Sequence, residues 1–272
     1  MPITIRLKAR EDDRLKAGHP WIFSNEIAQA DSPAEPGDLA FLYAAGGEAL
    51  GCGFYNPKSL IAFRLLSRER IPEEGLGALV KERLSAALAL RQKLYPGEGA
   101  GRICFGESDG LPGLVVDRYG DHLAVQVLSA GMERRLGLAV EALKELLRPA
   151  GIRAKNDHRM RALEGLPPGD QLLWGEVPEK VRFSQDGIEY SASILGGQKT
   201  GFYFDQRENR AFLKPYAKGR RVLDLYCYAG GFSLSAAKGG AQSVLGIDSS
   251  ADAVAAAREN ARANGLDGTV SF

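Results

Sequence analysis

The segment VLDLYCYAGGF, from Val222 to Phe232, constrains this chain more than any other because of what it asks of the backbone. An apolar run leads into two consecutive glycines, a helix-forming stretch follows, and a second apolar run from Ser243 to Ile247 ends on Asp248. In a parallel sheet the first run, Val222 to Leu225, is a strand buried on both faces, and a crevice opens at its carboxyl end. Gly230 and Gly231 let the backbone turn sharply and approach a ligand with no Cβ in the way. The helix predicted from Phe232 to Lys238 offers N–H groups to an anion, and Asp248 can accept hydrogen bonds from both hydroxyls of a ribose. The spacing predicts the front half of a nucleoside-binding site.

Two cofactor classes use such a layout. A dinucleotide needs the G-x-G-x-x-G fingerprint, whose third glycine allows close helix packing beside the pyrophosphate, and here Tyr228, Gly230 and Leu234 do not supply it. S-adenosylmethionine carries no phosphate and tolerates the looser turn. Its methionine carboxylate would lie at the helix N-terminus and its ribose on Asp248.

Bulk properties narrow the class without naming a partner. The 272 residues carry 35 basic and 34 acidic side chains, so nucleic-acid affinity would have to come from local clusters. One such cluster is Lys199, Arg207, Arg210, Lys214, Lys218, Arg220 and Arg221, offset only by Asp205 and Glu208; a second is Arg153, Lys155, Arg159 and Arg161. Charge alone reads both as solvated faces. Cys52, Cys104 and Cys227 are far apart and lack metal-ligand spacing, which indicates neither a zinc site nor a disulfide framework and makes a reducing cytoplasm the simplest setting. The sequence shows no secretory leader and no apolar run approaching the roughly 20 residues that span a bilayer, so neither a membrane nor a metal is expected.

The predicted class is α/β and multi-domain. Alternating runs at Ile3 to Leu7, Leu39 to Tyr43, Ala49 to Phe54 and Leu60 to Leu66 predict a small β-rich barrel over 1–70. A helix from Glu73 to Leu94, a hairpin turning at Gly120-Asp121-His122 and a helix from Leu136 to Leu147 predict a central α/β domain over 71–180. Residues 181–272 hold hairpin strands, a polar helix near Gln206 to Tyr216 and the glycine turn, the start of a Rossmann-like domain.

Six blocks then resemble one known family. GHPWIFSNEI (Gly18 to Ile27), GFYNPKSLIAFRLLS (Gly53 to Ser67), ESDGLPGLVVDRYGD (Glu107 to Asp121), KNDHRMRALEGL (Lys155 to Leu166), GQKTGFYFDQRENR (Gly197 to Arg210) and the glycine-turn motif follow, in order, the large-subunit ribosomal RNA cytosine-C5 methyltransferases with an N-terminal PUA domain. The resemblance implies an RNA-binding PUA-like barrel, a central domain, a Rossmann-like methyltransferase domain, S-adenosylmethionine as cofactor and ribosomal RNA as partner. It implies cofactor contacts at Phe204, Gln206, Arg207, Asp224, Tyr226, Tyr228, Ala229, Gly230, Gly231, Asp248 and Ser249, and RNA contacts at Trp21, Lys58 and Arg64. Tyr228 follows the family's usage, whereas Ala229 replaces the threonine often found there. A homodimer is compatible with the sequence. Two other readings stay open: a non-catalytic PUA-type RNA-binding protein, and a methyltransferase with a non-RNA acceptor.

C5 of cytosine is a poor nucleophile, and enzymes of the resembled class add a cysteine thiolate to C6 before the methyl is transferred. Cys52 and Cys104 fall in predicted strands and Cys227 in the cofactor loop, so none is expected to be that nucleophile. The resemblance places the nucleophile and an Asp-Pro-Pro-type motif beyond Phe272. A doubly wound sheet also needs strands on the far side of its first one. The expectation is an incomplete Rossmann-like domain in a chain that is a fragment, inactive as written, with no catalytic residue of its own.

Overall fold

The computed structural model describes residues 2–197 and 199–272; Gln198, within the block from Gly197 to Arg210, lies outside the described residues. In chain order the strands and helices are β1 (Ile3–Leu7), α1 (Asp13–Lys16), β2 (Trp21–Ile22), β3 (Ile27–Ala30), β4 (Asp38–Tyr43), β5 (Ala49–Tyr55), β6 (Phe63–Ser67), α2 (Leu76–Leu94), β7 (Ala100–Phe105), β8 (Leu114–Tyr119), β9 (His122–Val127), α3 (Ala130–Arg134), α4 (Leu136–Leu147), β10 (Gly151–Asn156) and β11 (Gly169–Gly175). They continue with β12 (Val181–Gln185), β13 (Ile188–Ala192), α5 (Arg207–Ala217), β14 (Arg221–Leu225), α6 (Gly231–Lys238), β15 (Ser243–Ile247), α7 (Ala251–Ala263) and β16 (Val270–Ser271). The chain divides into two compact units, one of residues 1–94, 103–116 and 124–176, the other of 95–102, 117–123 and 177–272.

In the first unit a six-stranded sheet has the order β2-β6-β5-β4-β1-β3. Its strands alternate because one face is dry: Ile3, Ile5 and Leu7 of β1 point inward onto Leu15, Ile22, Leu42 and Phe63. Burial of each such side chain contributes about 1.5–3 kcal/mol. The expected strand from Leu60 starts only at Phe63, since Leu60 is exposed and its carbonyl caps Ser24 N–H at 2.9 Å. Helix α2 buries Leu76, Val80, Leu84 and Ala87, a stripe at helical spacing packed on α4. A second sheet has the order β11-β10-β9-β8-β7.

The second unit holds the β12-β13 hairpin, an aromatic core and the parallel sheet β14-β15-β16. Tyr119, Phe183, Phe202 and Phe204 pack with ring centroids 4.9–5.5 Å apart, the offset and edge-on geometry that aromatic quadrupoles favour. Helix α6 lies against β14 and β15, and α7 against β13. Register in the parallel sheet pairs Asp224 with Gly246 and Leu225 with Ile247.

One expectation is corrected here. Strand β14 is not buried on both faces: Leu223 and Leu225 are 58% and 57% exposed, and Leu245 and Ile247 of β15 are 46% and 47% exposed. The reason is that α6 covers one face, where Ser233 meets Asp224, while β14 is an edge strand and no described element covers the other.

Candidate functional site

The carboxyl ends of β14 and β15 place the turn and the acid side by side, as parallel register requires. Cys227 N–H donates to Ile247 O at 3.0 Å, and Tyr228 N–H donates to Asp248 Oδ2 at 2.9 Å, so the loop after β14 is hung on the end of β15. Asp248 Oδ1 accepts from Ser250 N–H at 2.9 Å, and the Ser250 hydroxyl caps α7 by accepting from Ala253 N–H at 3.2 Å. Each Asp248 oxygen thus accepts one backbone N–H and keeps a lone pair for a further donor. Ser249 is exposed beside it.

Tyr226 and Tyr228 both take positive φ, +64° and +49°, on either side of buried Cys227. Non-glycine residues there are held by their surroundings. For Tyr228 the surroundings are explicit: its hydroxyl donates to Gly201 O at 3.1 Å and its ring meets Tyr203 edge-on at 5.3 Å. Tyr226 is 88% exposed and presents its whole ring to solvent.

The glycines serve packing as well as turning. At Gly230, with φ +81°, a Cβ would lie 2.9 Å from the Phe272 ring and 3.2 Å from Ala257. Gly231 opens α6 with the Arg210 side chain 3.3 Å from where its Cβ would be. The first turn of α6 is also engaged: Ser233 gives both its hydroxyl, at 2.6 Å, and its backbone N–H to Asp224. Burial pushes the Asp224 carboxyl above its ordinary value and the nearby Asp248 charge adds to this, against the pull of Ser233.

A cavity of about 510 Å³ lies beside the turn, with Lys180, Ser193, Gly197, Tyr228, Ser250 and Asp252 in its wall. Its wall mixes charged and hydroxyl side chains with alanine and glycine surface, and the Asp248 carboxylate, which keeps spare lone pairs, lies two residues before Ser250 of that wall. Among the described residues no group of three or more His, Cys, Asp or Glu is placed to hold a metal, and no helix is long and apolar enough to cross a membrane.

Two family models match the sequence: a PUA-like domain over residues 5–68 and an S-adenosylmethionine-dependent methyltransferase over residues 146–272. The chain is 39% identical over 270 residues to the ribosomal RNA large subunit methyltransferase I of Photobacterium profundum, covering 98% of this chain and 68% of that protein. The enzyme of the same name from Aeromonas hydrophila is 39% identical over 265 residues, 96% of this chain and 66% of its own. The chain belongs to the ribosomal RNA large subunit methyltransferase I family. It spans about two thirds of the length of these relatives. A structure solved as a SAM-dependent methyltransferase from Streptococcus mutans superposes with a TM-score of 0.83 at 22% identity, over all of this chain and 70% of that one. Another methyltransferase structure, complexed with SAH, gives 0.84 at 22% identity over 99% of this chain and 69% of its own. Like its family, this chain is an S-adenosylmethionine-dependent methyltransferase with a PUA-like N-terminal domain.

Within this family member, the turn residues Asp224, Tyr226, Tyr228, Ala229, Gly230 and Gly231 gather with Asp248 and Ser249. The described side chains of the block from Gly197 to Arg210 have partners within the second unit. Phe204 is buried in the aromatic core, Gln206 accepts from Asn209 at 2.9 Å, and Arg207 is bound to Asp186 and Glu98 and stacked 4.0 Å above Tyr95. Phe204 and Arg207 are thus held by other parts of the second unit, and among the described residues of this block Gly201, Tyr203 and Arg210 reach the turn.

Sequence reasoning passed over Asn260 and Arg210. Asn260 is buried on α7, donates to Ala229 O at 3.1 Å and accepts from Ser191 N–H at 2.8 Å. Arg210, 4% exposed, donates to Tyr203 O at 3.0 Å and to Gln185 Oε1 at 2.5 Å and lies over Phe202. Asn260 carries a signal in retrospect: an amide three residues after Ala257 falls on the helix's buried stripe, where a polar group needs partners.

In the first unit, Trp21 Nε1–H and Arg64 both donate to Glu107, at 2.7 and 2.9 Å, and Arg64 also donates to Glu164 at 3.0 Å. Glu164, 4% exposed, further accepts from Asn56, Ser59 and Ala130 N–H. Lys58 is exposed. His19 accepts from Trp21 N–H and His158 from Met160 N–H, both at 3.2 Å, which are local turn contacts.

Proposed function

We propose that the cofactor site of this chain serves the methylation of large-subunit ribosomal RNA, that the product of that reaction is 5-methylcytosine, and that it takes place in the cytoplasm. What carries this reading is the Asp248-anchored turn at the ends of β14 and β15, in a chain whose relatives bear that name over its whole length. When bound at this turn, S-adenosylmethionine supplies an electrophilic methyl group on a sulfonium centre. In this reading Asp248 and Ser249 hold the ribose, Tyr226 and Ala229 flank the nucleoside, and Asp224 fixes α6 so that the methionine end meets Gly230 and Gly231. Phe204, Gln206 and Arg207 act on the cofactor through the loop they brace.

For the RNA, we assign contact to the face of the PUA-like domain around Lys58, with Trp21 and Arg64 setting its shape through Glu107 and Glu164. This is the mixed, shallow kind of surface that positions backbone and splayed bases. The division into 1–70, 71–180 and 181–272 is kept as a functional one: RNA contact, connector, cofactor.

The thiol that C5 chemistry requires is not supplied by the three cysteines present. All three are buried, burial pushes the Cys52 thiol up, and burial with the Asp224 and Asp248 charges pushes the Cys227 thiol up to about 11. The 272 residues are accordingly proposed to bind cofactor without completing transfer. The test uses radiolabelled S-adenosylmethionine and large-subunit ribosomal RNA stripped of modification, with the chain as it stands beside a relative of full length. Label at cytosine C5 with the relative but not with this chain supports both statements; label on another atom, or turnover by this chain, overturns one of them.

A further inference from the structure

Strand β8 reads LVVDRY, and its Asp117 is fully buried directly after the apolar Leu114, Val115 and Val116. A buried carboxylate persists only where donors surround it. Here Arg102 grips it with two bonds, Nε to Oδ1 at 2.8 Å and Nη2 to Oδ2 at 3.0 Å, and the Thr200 hydroxyl donates to Oδ2. Because Thr200 spends its proton on Asp117, it is left as acceptor for the Tyr119 hydroxyl at 3.3 Å. Thr200 is 1% exposed, so its side chain has no part in solvation.

The next residue is the point of contact with the site. Gly201 has φ +125°, and a Cβ there would lie 2.9 Å from Ser193 O and 3.2 Å from the Tyr119 hydroxyl, so only glycine fits. Its carbonyl accepts from Tyr228, the left-handed residue of the cofactor turn. We propose that the buried chain Arg102–Asp117–Thr200–Tyr119 is a positioning device that fixes the Gly201 carbonyl, and through it the Tyr228 side of the cofactor turn. Thr200 and Asp117 touch no cofactor; they act through one carbonyl oxygen. The inference rests on this turn being the S-adenosylmethionine site.

The test pairs two readouts on the chain as it exists. Titration calorimetry with S-adenosylhomocysteine is run on the unaltered chain, T200V, T200S, Y228F and the T200V/Y228F double variant. T200V is expected to weaken binding roughly tenfold, the scale of one buried hydrogen bond to a charged group, with T200S restoring most of it. Y228F removes the far end of the same chain, so the double variant should bind no worse than the weaker single. Deuterium exchange of peptides spanning 226–231 is measured without ligand: T200V should speed it and T200S should not. If T200V misfolds, Y228F alone must still speed exchange at 226–231. Unchanged exchange in T200V and Y228F, or additive losses in the double variant, overturns the positioning role. Failure of the unaltered chain to bind S-adenosylhomocysteine while exchange responds as stated overturns the site reading instead.

Discussion

Asp248 does two jobs with one carboxylate, and its removal separates them. Its oxygens accept Tyr228 and Ser250 N–H, and its remaining lone pairs face the place assigned to a ribose. Asp248→Ala is expected to cost about 1.5–3 kcal/mol of S-adenosylhomocysteine affinity, a drop of roughly 10- to 100-fold by calorimetry. Asp248→Asn should lose less, since its amide oxygen can still accept. Cys227 makes a second prediction at this scale. With its thiol held at about 11, it should resist iodoacetamide at pH 8, and its alkylation rate should climb about tenfold per pH unit until it levels near that value. Rapid labelling at pH 8, followed by mass spectrometry, would contradict the burial. The sign for stability follows: the folded chain holds this proton to higher pH than the unfolded one, so its contribution is full below the unfolded value and is lost as pH rises toward about 11.

Helix α7 is the element that ties the turn to the hairpin. Its Asn260 amide bridges Ala229 of the turn and Ser191 of β13, both inside the protein. Asn260→Ala leaves a buried carbonyl and a buried N–H without partners, an expected loss of about 1–3 kcal/mol in urea unfolding. Asn260→Asp should be as poor, because it cannot donate to Ala229 O. Element positions were the most legible part of the sequence: β1, β15 and α4 occupy the runs their periodicity marks, as Ile3–Leu7, Ser243–Ile247 and Leu136–Leu147. Short strands such as β2 and β3 were not read, because two to four residues carry too little alternation; nor was the β10-β11 pair, since β10 is buried along nearly its whole length and β11 exposed along nearly its whole length, so neither alternates. The glycine turn after β14 and the acid ending β15 were legible because glycine pairs and a strand-terminal acid are local features. The braces around it were not: Arg207 with Asp186, and Asp117 with Thr200, are separated by 21 and 83 residues and become neighbours only in the folded chain.

At the scale of the molecule, the uncovered face of the parallel sheet dominates behaviour in solution. Leu223, Leu225, Leu245 and Ile247 expose neighbouring apolar surface on paired strands, with the exposed Tyr226 following β14. Such a patch promotes association. Light scattering should show concentration-dependent self-association, and Leu223→Lys with Leu245→Lys should abolish it while leaving the melting temperature within a few degrees; a chain that stays monomeric without the changes would refute this.

By itself the sequence pointed to the class of ligand, which the methyltransferase family match bears out, because backbone turn geometry and the absence of a third glycine depend only on residues close together in the chain. It also determined the α/β character, since periodicity is a local property. Tertiary structure decided which side chains are spent on holding the site. Phe204 and Arg207 found partners in Tyr119 and Asp186, and Trp21 and Arg64 in Glu107 and Glu164. The physical reason is the same in each case. A charged or polar group has many possible partners along a chain, and only the folded distances, together with the cost of burying it unpaired, select one.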